Sequence, residues 1–462
     1  MQFCYQKTKS ISAIPIVLIE KSNFPSWLKK QSAWVRRWMK QVDFIAEIYH
    51  HCLMMDRSGK IERVFVIVSS VDDLWAVSDL SLKLPQHTYY IENKLTAKQL
   101  YSLAIGWGLG AYQFTQYKKP KRKPAKLFLP GIVDAEALGI IISGVYMTRD
   151  LINLPTDDLG PSEFSAFVFE LSQTFGAGFS EIIGEALLDE GYRAIHAVGR
   201  GSDDAPRLLD ITWGDKHYPK VTLVGKGVCF DSGGLNLKPT QHMLHMKKDM
   251  GGAAHVLGLA QMVMMAKLPI RLRVLIPLVE NVVSGNAYHP GDVITMRNGK
   301  TVEITNTDAE GRLILADALV EASNETPDLL IDFATLTGAA RVALGTEIVS
   351  MFCNDDELSE SLTAVAKEVQ DSVWRMPLHL AYLESLKSRV AELSNSSSES
   401  YGGAIVAALF LQSFIASHTP WVHFDLMAMN IKTRPGRPEG GEAQMLRAMF
   451  EYLQKRYPTI PS

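Results

Sequence analysis

Two stretches of the chain crowd chemically useful side chains into short segments. "NTDAEGRL" (Asn306–Leu313) holds an amide, a hydroxyl, two carboxylates and a guanidinium, and the apolar run "ILADALVEAS" follows it directly. On an extended segment Asp308, Glu310 and Arg312 would alternate to one side, whereas residues two apart on a helix do not face each other. The competing reading is a helix N-terminus enriched in acids, which the helix dipole favours. Arg312 fits that second reading poorly, and the loop alone leaves both open.

The second stretch is "VGKGVCFDSGGLNLKPTQHMLHMKKDMGGAA" (Val224–Ala254), with Lys226, Asp231, Lys238 and Asp249 between glycine-rich turns. Glycines beside Asp231 and Asp249 let backbone approach a bound group closely. Gathered with Asp308 and Glu310, the two acids would put four carboxylates in one place. Such a cluster persists in a partly dry cleft when cations occupy it, and carboxylate donors suit Mg, Mn or Zn. Two ions about 3.5–4 Å apart could clamp a water and both ends of a displacement.

These loops must be carried by a scaffold. "RVFVIVSS" (Arg63–Ser70), "KVTLVGKGVCF", "LRVLIPLVENVV" and "DLLIDFATLT" (Asp328–Thr337) read as strands. "GGAAHVLGLAQMVMMA" (Gly251–Ala266) and "RLILADALVEASNE" read as helices. This alternation predicts an α/β fold with a mixed, largely parallel central sheet, in which sites form at the carboxyl ends of strands. "AKQLYSLAIGWGLGAYQF" (Ala97–Phe114) reads as a helix running towards a strand. Asp134 is a candidate N-cap for a long helix over about 134–153 that ends at Asn-Leu-Pro. With 462 residues two domains are expected, here 1–132 and 133–462, the smaller α/β domain first and the long helix joining them. "SNSSSES" (Ser394–Ser400) reads as a loop.

Composition narrows the classes. A net charge of −3 argues against a dedicated polyanion binder. The basic run in "YKKPKRKPAKLFLP" (Lys118–Lys126 within Tyr117–Pro130) is a nucleic-acid patch or a solvated linker, and the absence of interleaved aromatics favours the linker. Four scattered cysteines form no framework and fit a reducing compartment. The N-terminal "ISAIPIVLI" is short and interrupted by proline, unlike a signal peptide. No run reaches about 18 apolar residues, so a cytoplasmic protein without a membrane span is expected.

The same blocks resemble the leucine aminopeptidase (cytosol aminopeptidase) family of two-metal exopeptidases. "NTDAEGRL" is that family's signature octapeptide. "VGKGVCFDSGG", "KPT", "KKDMGGAA", "TLTGAA" and "YGGAIVAALFL" fall at matching spacing. The resemblance covers the C-terminal two-thirds closely and the first third only generally. It implies that residues 133–462 form the catalytic domain and 1–132 an oligomerisation or regulatory domain.

Carried over by position, the resemblance implies that Lys226, Asp231, Asp249, Asp308 and Glu310 are metal ligands, with Asp231 and Glu310 bridging two ions. Lys238 and Arg312 match the catalytic residues. Lys238 would stabilise the oxyanion, and Arg312 would hold a bicarbonate that acts as base on a metal-bridged water. Mn or Zn is the expected metal, with Mg or Co as further options. Met246, Asn306, Thr335, Leu336, Gly338 and Met427 match positions lining or approaching the substrate. The implied activity removes N-terminal residues from short peptides, and the implied assembly is a homohexamer. A lysine ligand must shed its proton, which at pH 7 costs roughly 4–5 kcal/mol from a reference pKa near 10.4.

Departures and alternatives complete the reading. The usual "HLDIAG" is here "HFDLMAMN" (His423–Asn430), so Met427 and Asn430 predict a bulkier, partly polar wall and a shifted specificity. His242 and His245 are expected at the surface or behind the site, Cys229 in the core, and Asp332 and Glu280 in caps or ion pairs. A two-metal phosphoesterase would leave Lys226 unexplained. A nucleic-acid-binding regulator on a peptidase body rests on the basic run alone. An inactive scaffold conflicts with the intact matched positions.

Overall fold

The computed structural model describes residues 4–459, which fall into two compact units. One runs to Tyr146 and takes in Lys432–Glu439; the other comprises Met147–Ile431 and the chain from Gly440 onward. The helix Ala135–Asn153 contributes to both. Asp134 starts it, its Oδ1 accepting the amides of Glu136 at 2.9 Å and Ala137 at 3.0 Å.

The first unit is built on a six-stranded sheet. Ile14–Glu20 lies at its centre, parallel to Ile61–Val68 and Thr88–Ile91, and His51–Met55 closes one edge antiparallel. The Ala97–Gly110 helix opens on a capping box formed by Thr96 and Gln99. It does not run on into a strand. Pro120 and Pro124, which lack a ladder donor, interrupt the chain before the short strand Lys126–Phe128. Lys118, Lys119, Lys121 and Lys123 are exposed on that connection.

The second unit carries a nine-stranded mixed sheet. Its central strands Arg271–Asn281, Lys220–Gly225, Leu329–Ala334 and Trp421–Asp425 are mutually parallel neighbours. Antiparallel pairing is confined to the flanks, where Arg207–Trp213 and Gly178–Ile183 lie on one side and Val349–Cys353 on the other. Every residue of Leu329–Ala334 is buried, as expected of a parallel strand covered on both faces. His255, on the Gly251–Ala266 helix, stacks on Phe333. Leu313 and Leu319, on the Glu310–Asn324 helix, share a core with Leu330 and Ala334. Residues 330 and 334 point opposite to 333 on a pleated strand, so the two helices cover opposite faces. Among the described residues no helix is long and apolar enough to cross a membrane.

Candidate metal centre

The carboxyl ends of the central strands converge on one place. Lys226 stands between the strands Lys220–Gly225 and Gly227–Asp231, its amide donating to Phe333 O at 3.0 Å. Asp231 closes the second of these strands. A left-handed turn follows, with φ of 89° at Gly233 and 62° at Gly234, conformations that glycine adopts freely. Asp249 sits in the turn Met246–Met250 just before the Gly251–Ala266 helix.

Glu310 is the first residue of its helix, two positions earlier than Arg312. The segment is therefore not extended through Arg312. The helix-start reading and the clustering reading both hold, because Asp308 precedes the helix and Glu310 begins it. Ligand atoms of Asp231, Asp308 and Glu310 all lie within 4.8 Å of one another.

Two lysines are threaded through the acids. Lys226 Nζ donates to Thr335 O at 3.0 Å and forms ion pairs with Asp249 Oδ2 at 2.5 Å and Glu310 Oε1 at 3.0 Å. Lys238 Nζ pairs with Asp231 Oδ2 at 2.7 Å and with Asp308 Oδ1. A Cβ at Gly311 would clash with Lys226 Cε and fall 2.7 Å from its Nζ, so a side chain there would displace the Lys226 ammonium.

The loops that carry these groups are stitched together. Asn236 N donates to Thr307 Oγ1, and Thr307 N to Asn236 Oδ1, each at 2.8 Å. Asn281 Nδ2 reaches both Asp231 Oδ1 at 2.9 Å and Thr307 O at 3.0 Å. Asn395, inside the serine-rich stretch, holds "NTDAEGRL" from the other side. Its Nδ2 donates to Asn306 O at 2.7 Å, and its Oδ1 accepts from Thr305 N at 2.9 Å. Arg312 Nη1 donates to Asn395 O at 2.8 Å, while Arg312 Nε is buried without a hydrogen-bond partner.

The electrostatics call for cations. Burial first, then Glu310 and Asp249, raises the Asp231 carboxyl well above its ordinary range. Burial and Glu310 raise Asp308 as well. Burial pushes Asp249 upward too, but Lys226, Lys248 and Lys238 outweigh it and hold it at about 2. Burial works against the Lys226 ammonium, yet Asp249, Glu310 and Asp231 hold its pKa above the ordinary lysine value. Glu310 Oε2 is buried without a hydrogen-bond partner. Four close carboxylates and an orphaned carboxylate oxygen are the donor set of a hard divalent ion. Burial also draws Arg312 down to about 10, which suits a guanidinium that a bound anion would stabilise.

All seven residues expected to hold metal or catalyse border one cleft of about 260 Å³, as do Met246, Asn306, Thr335, Leu336 and Gly338. Met427 does not border it; its amide donates to Gln444 Oε1 at 3.2 Å. Asn430 is buried away from the cleft, its Nδ2 2.6 Å from Glu442 Oε2 in a group that also holds Arg149. It therefore forms no polar pocket wall. The chain turns at Ala428, whose φ is 57°, and Met429–Asn430 pairs with Gly440–Gly441. Asp425 shapes the cleft rim instead, its Oδ1 accepting the Leu336 amide at 3.0 Å and its Oδ2 the Thr337 hydroxyl at 2.6 Å.

The other residues fall as expected except Glu280, which among the described residues makes neither a helix cap nor an ion pair. His242 and His245 are exposed, and Cys229 is buried. Asp332 binds His423 Nδ1 at 2.6 Å and Trp421 Nε1 at 2.7 Å, and Glu280 accepts Ser202 Oγ at 2.6 Å. Sequence reasoning missed Asn395, whose only signal was one amide among serines. It also missed Lys248 and Arg341, which border the same cleft.

A parallel-centred α/β sheet with buried carboxylates and lysines at its carboxyl edge is the frame of a metal-dependent hydrolase. Comparison with known proteins is in accord. Residues 146–450 match the cytosol aminopeptidase family, catalytic domain, and residues 14–130 match the M17 aminopeptidase, N-terminal domain. A probable cytosol aminopeptidase of Legionella pneumophila (strain Paris) is 42% identical over 350 residues, covering 73% of this chain and 72% of the relative. The crystal structure of cytosol aminopeptidase from Coxiella burnetii superposes with a TM-score of 0.94 at 46% identity, covering 98% of this chain and 99% of that one. The bottromycin maturation enzyme BotP in complex with Mn gives a TM-score of 0.86 at 32% identity, covering 96% and 99%. The chain belongs to the cytosol aminopeptidase family: it is a metal-dependent hydrolase acting as an aminopeptidase.

Proposed function

We propose that this aminopeptidase removes single N-terminal residues from short peptides at the Asp231–Asp308–Glu310 cluster. The observation that carries the reading is the meeting of those three carboxylates within 4.8 Å, with Lys226 wedged between Asp249 and Glu310. Lys226, Asp231, Asp249, Asp308 and Glu310 would hold two divalent ions. When bound, these supply Lewis acidity and a water acidified towards neutral pH. Manganese is the favoured metal, supported by the Mn-bound relative, with Zn, Co and Mg as alternatives.

The chain's own groups supply the rest. Lys238 remains an ammonium, because Asp231, Glu310 and Asp249 outweigh the cost of its burial, and it stabilises the oxyanion that develops on the scissile carbonyl. Arg312 cannot serve as a base at neutral pH. Its unpartnered Nε and its contact to Asn395 suit the capture of a small anion, and bicarbonate held there would take the proton. Thr335 Oγ1, 2.7 Å from Asp249 Oδ1, fixes that carboxylate's orientation. A homohexamer is the assembly proposed from the family resemblance. The basic segment around Lys118–Lys126 is read as a solvated connection and not as a nucleic-acid site.

Paired substrates test the activity. The metal-loaded enzyme should hydrolyse free dipeptides and leave their N-acetylated forms intact. Equal cleavage of both would contradict N-terminal recognition.

A further inference from the structure

The cleft carries two cations that the proposed chemistry does not use. Lys248 is 2% exposed, and its Nζ lies 3.8 Å from Asp249 Oδ1, outside hydrogen-bond range. Arg341, on the Gly338–Leu344 helix, has a buried Nη1 without a hydrogen-bond partner. Both border the cleft together with Met246, Thr335 and Gly338. A Cβ built at Gly338 would meet a single group within 4 Å, Arg341 Nη2 at 4.0 Å, so the guanidinium overlooks open space at that point.

Charge balance makes these cations informative. Asp249 already contacts Lys226 at 2.5 Å and Thr335 Oγ1 at 2.7 Å, and under the proposed reading it also binds metal. Asp249 therefore offers Lys248 only a long ion pair at 3.8 Å, and among the described residues no carboxylate lies within ion-pair distance of Arg341. Lys248 is buried and Arg341 half-buried with its Nη1 out of water; such cations are retained where a partner of opposite charge completes them, and a planar guanidinium matches a carboxylate bidentately. The residues around them are those that the family resemblance assigns to the substrate's first side chain.

We propose that Arg341 and Lys248 are specificity-determining residues that select peptides beginning with an acidic residue, glutamate or aspartate. The inference rests on the aminopeptidase reading and deepens it. A peptide's C-terminal carboxylate has the same chemistry, but the first side chain is the favoured source because Met246, Thr335 and Gly338 share the same part of the cleft.

The test compares kcat/KM for glutamyl-, aspartyl-, leucyl- and lysyl-7-amido-4-methylcoumarin, none of which has a C-terminal carboxylate. The enzymes are the Mn-loaded wild type, Arg341→Met, Arg341→Glu and Lys248→Met. The wild type should favour an acidic substrate over the leucyl one. Arg341→Met and Lys248→Met should each lower the glutamyl-to-leucyl ratio by about 10- to 100-fold, the range expected for losing one charge-assisted hydrogen bond. Arg341→Glu should move the preference towards lysyl, a change that mere structural damage would not produce. A leucyl optimum in the wild type with ratios unmoved in the variants overturns the proposal while leaving the aminopeptidase reading intact. So does an effect seen only between Leu-Gly and Leu-Gly-amide, which would place the cations at the C-terminal carboxylate. No turnover of any substrate would overturn both.

Discussion

Asn395 Nδ2 donates to the carbonyl of Asn306 at 2.7 Å, fastening a serine-rich segment to the stretch that supplies Asp308, Glu310 and Arg312. The same Asn395 accepts the Thr305 amide through Oδ1 and the Arg312 guanidinium through its backbone carbonyl. Replacing it by alanine would strip the amides of Thr305 and Asn306 of their partner and leave the Asn306 carbonyl with the Ala309 amide alone. Asn395→Ala should lower kcat/KM by about 100-fold, the scale of a misplacement of about 1 Å. Metal stoichiometry should change less than turnover. A kinetic comparison at saturating metal checks this, and wild-type turnover would show that the tether is dispensable.

Gly311 offers a second, steric test. A side chain there would press on Lys226 Nζ at 2.7 Å and push it off Asp249 and Glu310. Gly311→Ala should weaken metal binding by about 10- to 100-fold, comparable to the loss of groups that orient ligands. Metal titration by calorimetry reads it directly. An unchanged affinity would mean that Lys226 is not held where the metal binds.

How much of this was legible in the sequence depended on the range of the interactions. The strands around Lys226 and the Gly251–Ala266 helix followed from local apolar patterning, and the helix ends where its pattern ends. The carboxylates stood out because acids beside glycines at strand ends are costly without a purpose. Asp308 and Glu310 were found although the alternation argument assigned Glu310 the wrong local geometry. Asn395, Lys248 and Arg341 were missed because their roles arise from segments far apart in the chain meeting in space. Met427 and Asn430 were overread. A left-handed turn at Ala428 and the Glu442 contact remove them from the cleft, and no periodicity announces such a turn.

Lys226 gives a chemical test. A lysine can lose its proton to bind metal and an arginine cannot. Lys226→Arg should therefore lower metal affinity by at least about 100-fold, despite keeping a cation between the acids. In the wild type, one proton leaves Lys226 as metal enters, so apparent affinity should rise by about tenfold per pH unit. Metal content by plasma mass spectrometry checks the variant, and calorimetry across pH checks the slope. A flat pH profile would exclude Lys226 as a ligand.

His255 sets part of the stability profile. Its Nδ1 donates to Gly251 O at 2.6 Å and its Nε2 accepts the Gln444 amide at 2.9 Å, so the buried ring is neutral. Burial draws its pKa down from 6.5 to about 4. Below pH 6.5 the unfolded chain binds a proton that the folded chain refuses, so stability falls as pH drops from 6.5 towards 4. At pH 5 the loss from this group should be about 2 kcal/mol. Urea unfolding of the wild type and His255→Gln at pH 7 and pH 5 isolates it from the buried carboxylates, and the same pH dependence in both would refute the assignment.

The central claim is that the carboxylate and lysine cluster holds the metal on which peptide hydrolysis depends. It is tested most directly by chelating the purified enzyme and restoring Mn, Zn, Co and Mg stepwise. Activity on a free dipeptide and bound metal per chain are followed together, in the wild type and in Glu310→Gln. The account predicts loss on chelation and recovery as two ions bind each wild-type chain, with little recovery in the variant. Full activity after chelation, or recovery in Glu310→Gln equal to the wild type, would contradict it.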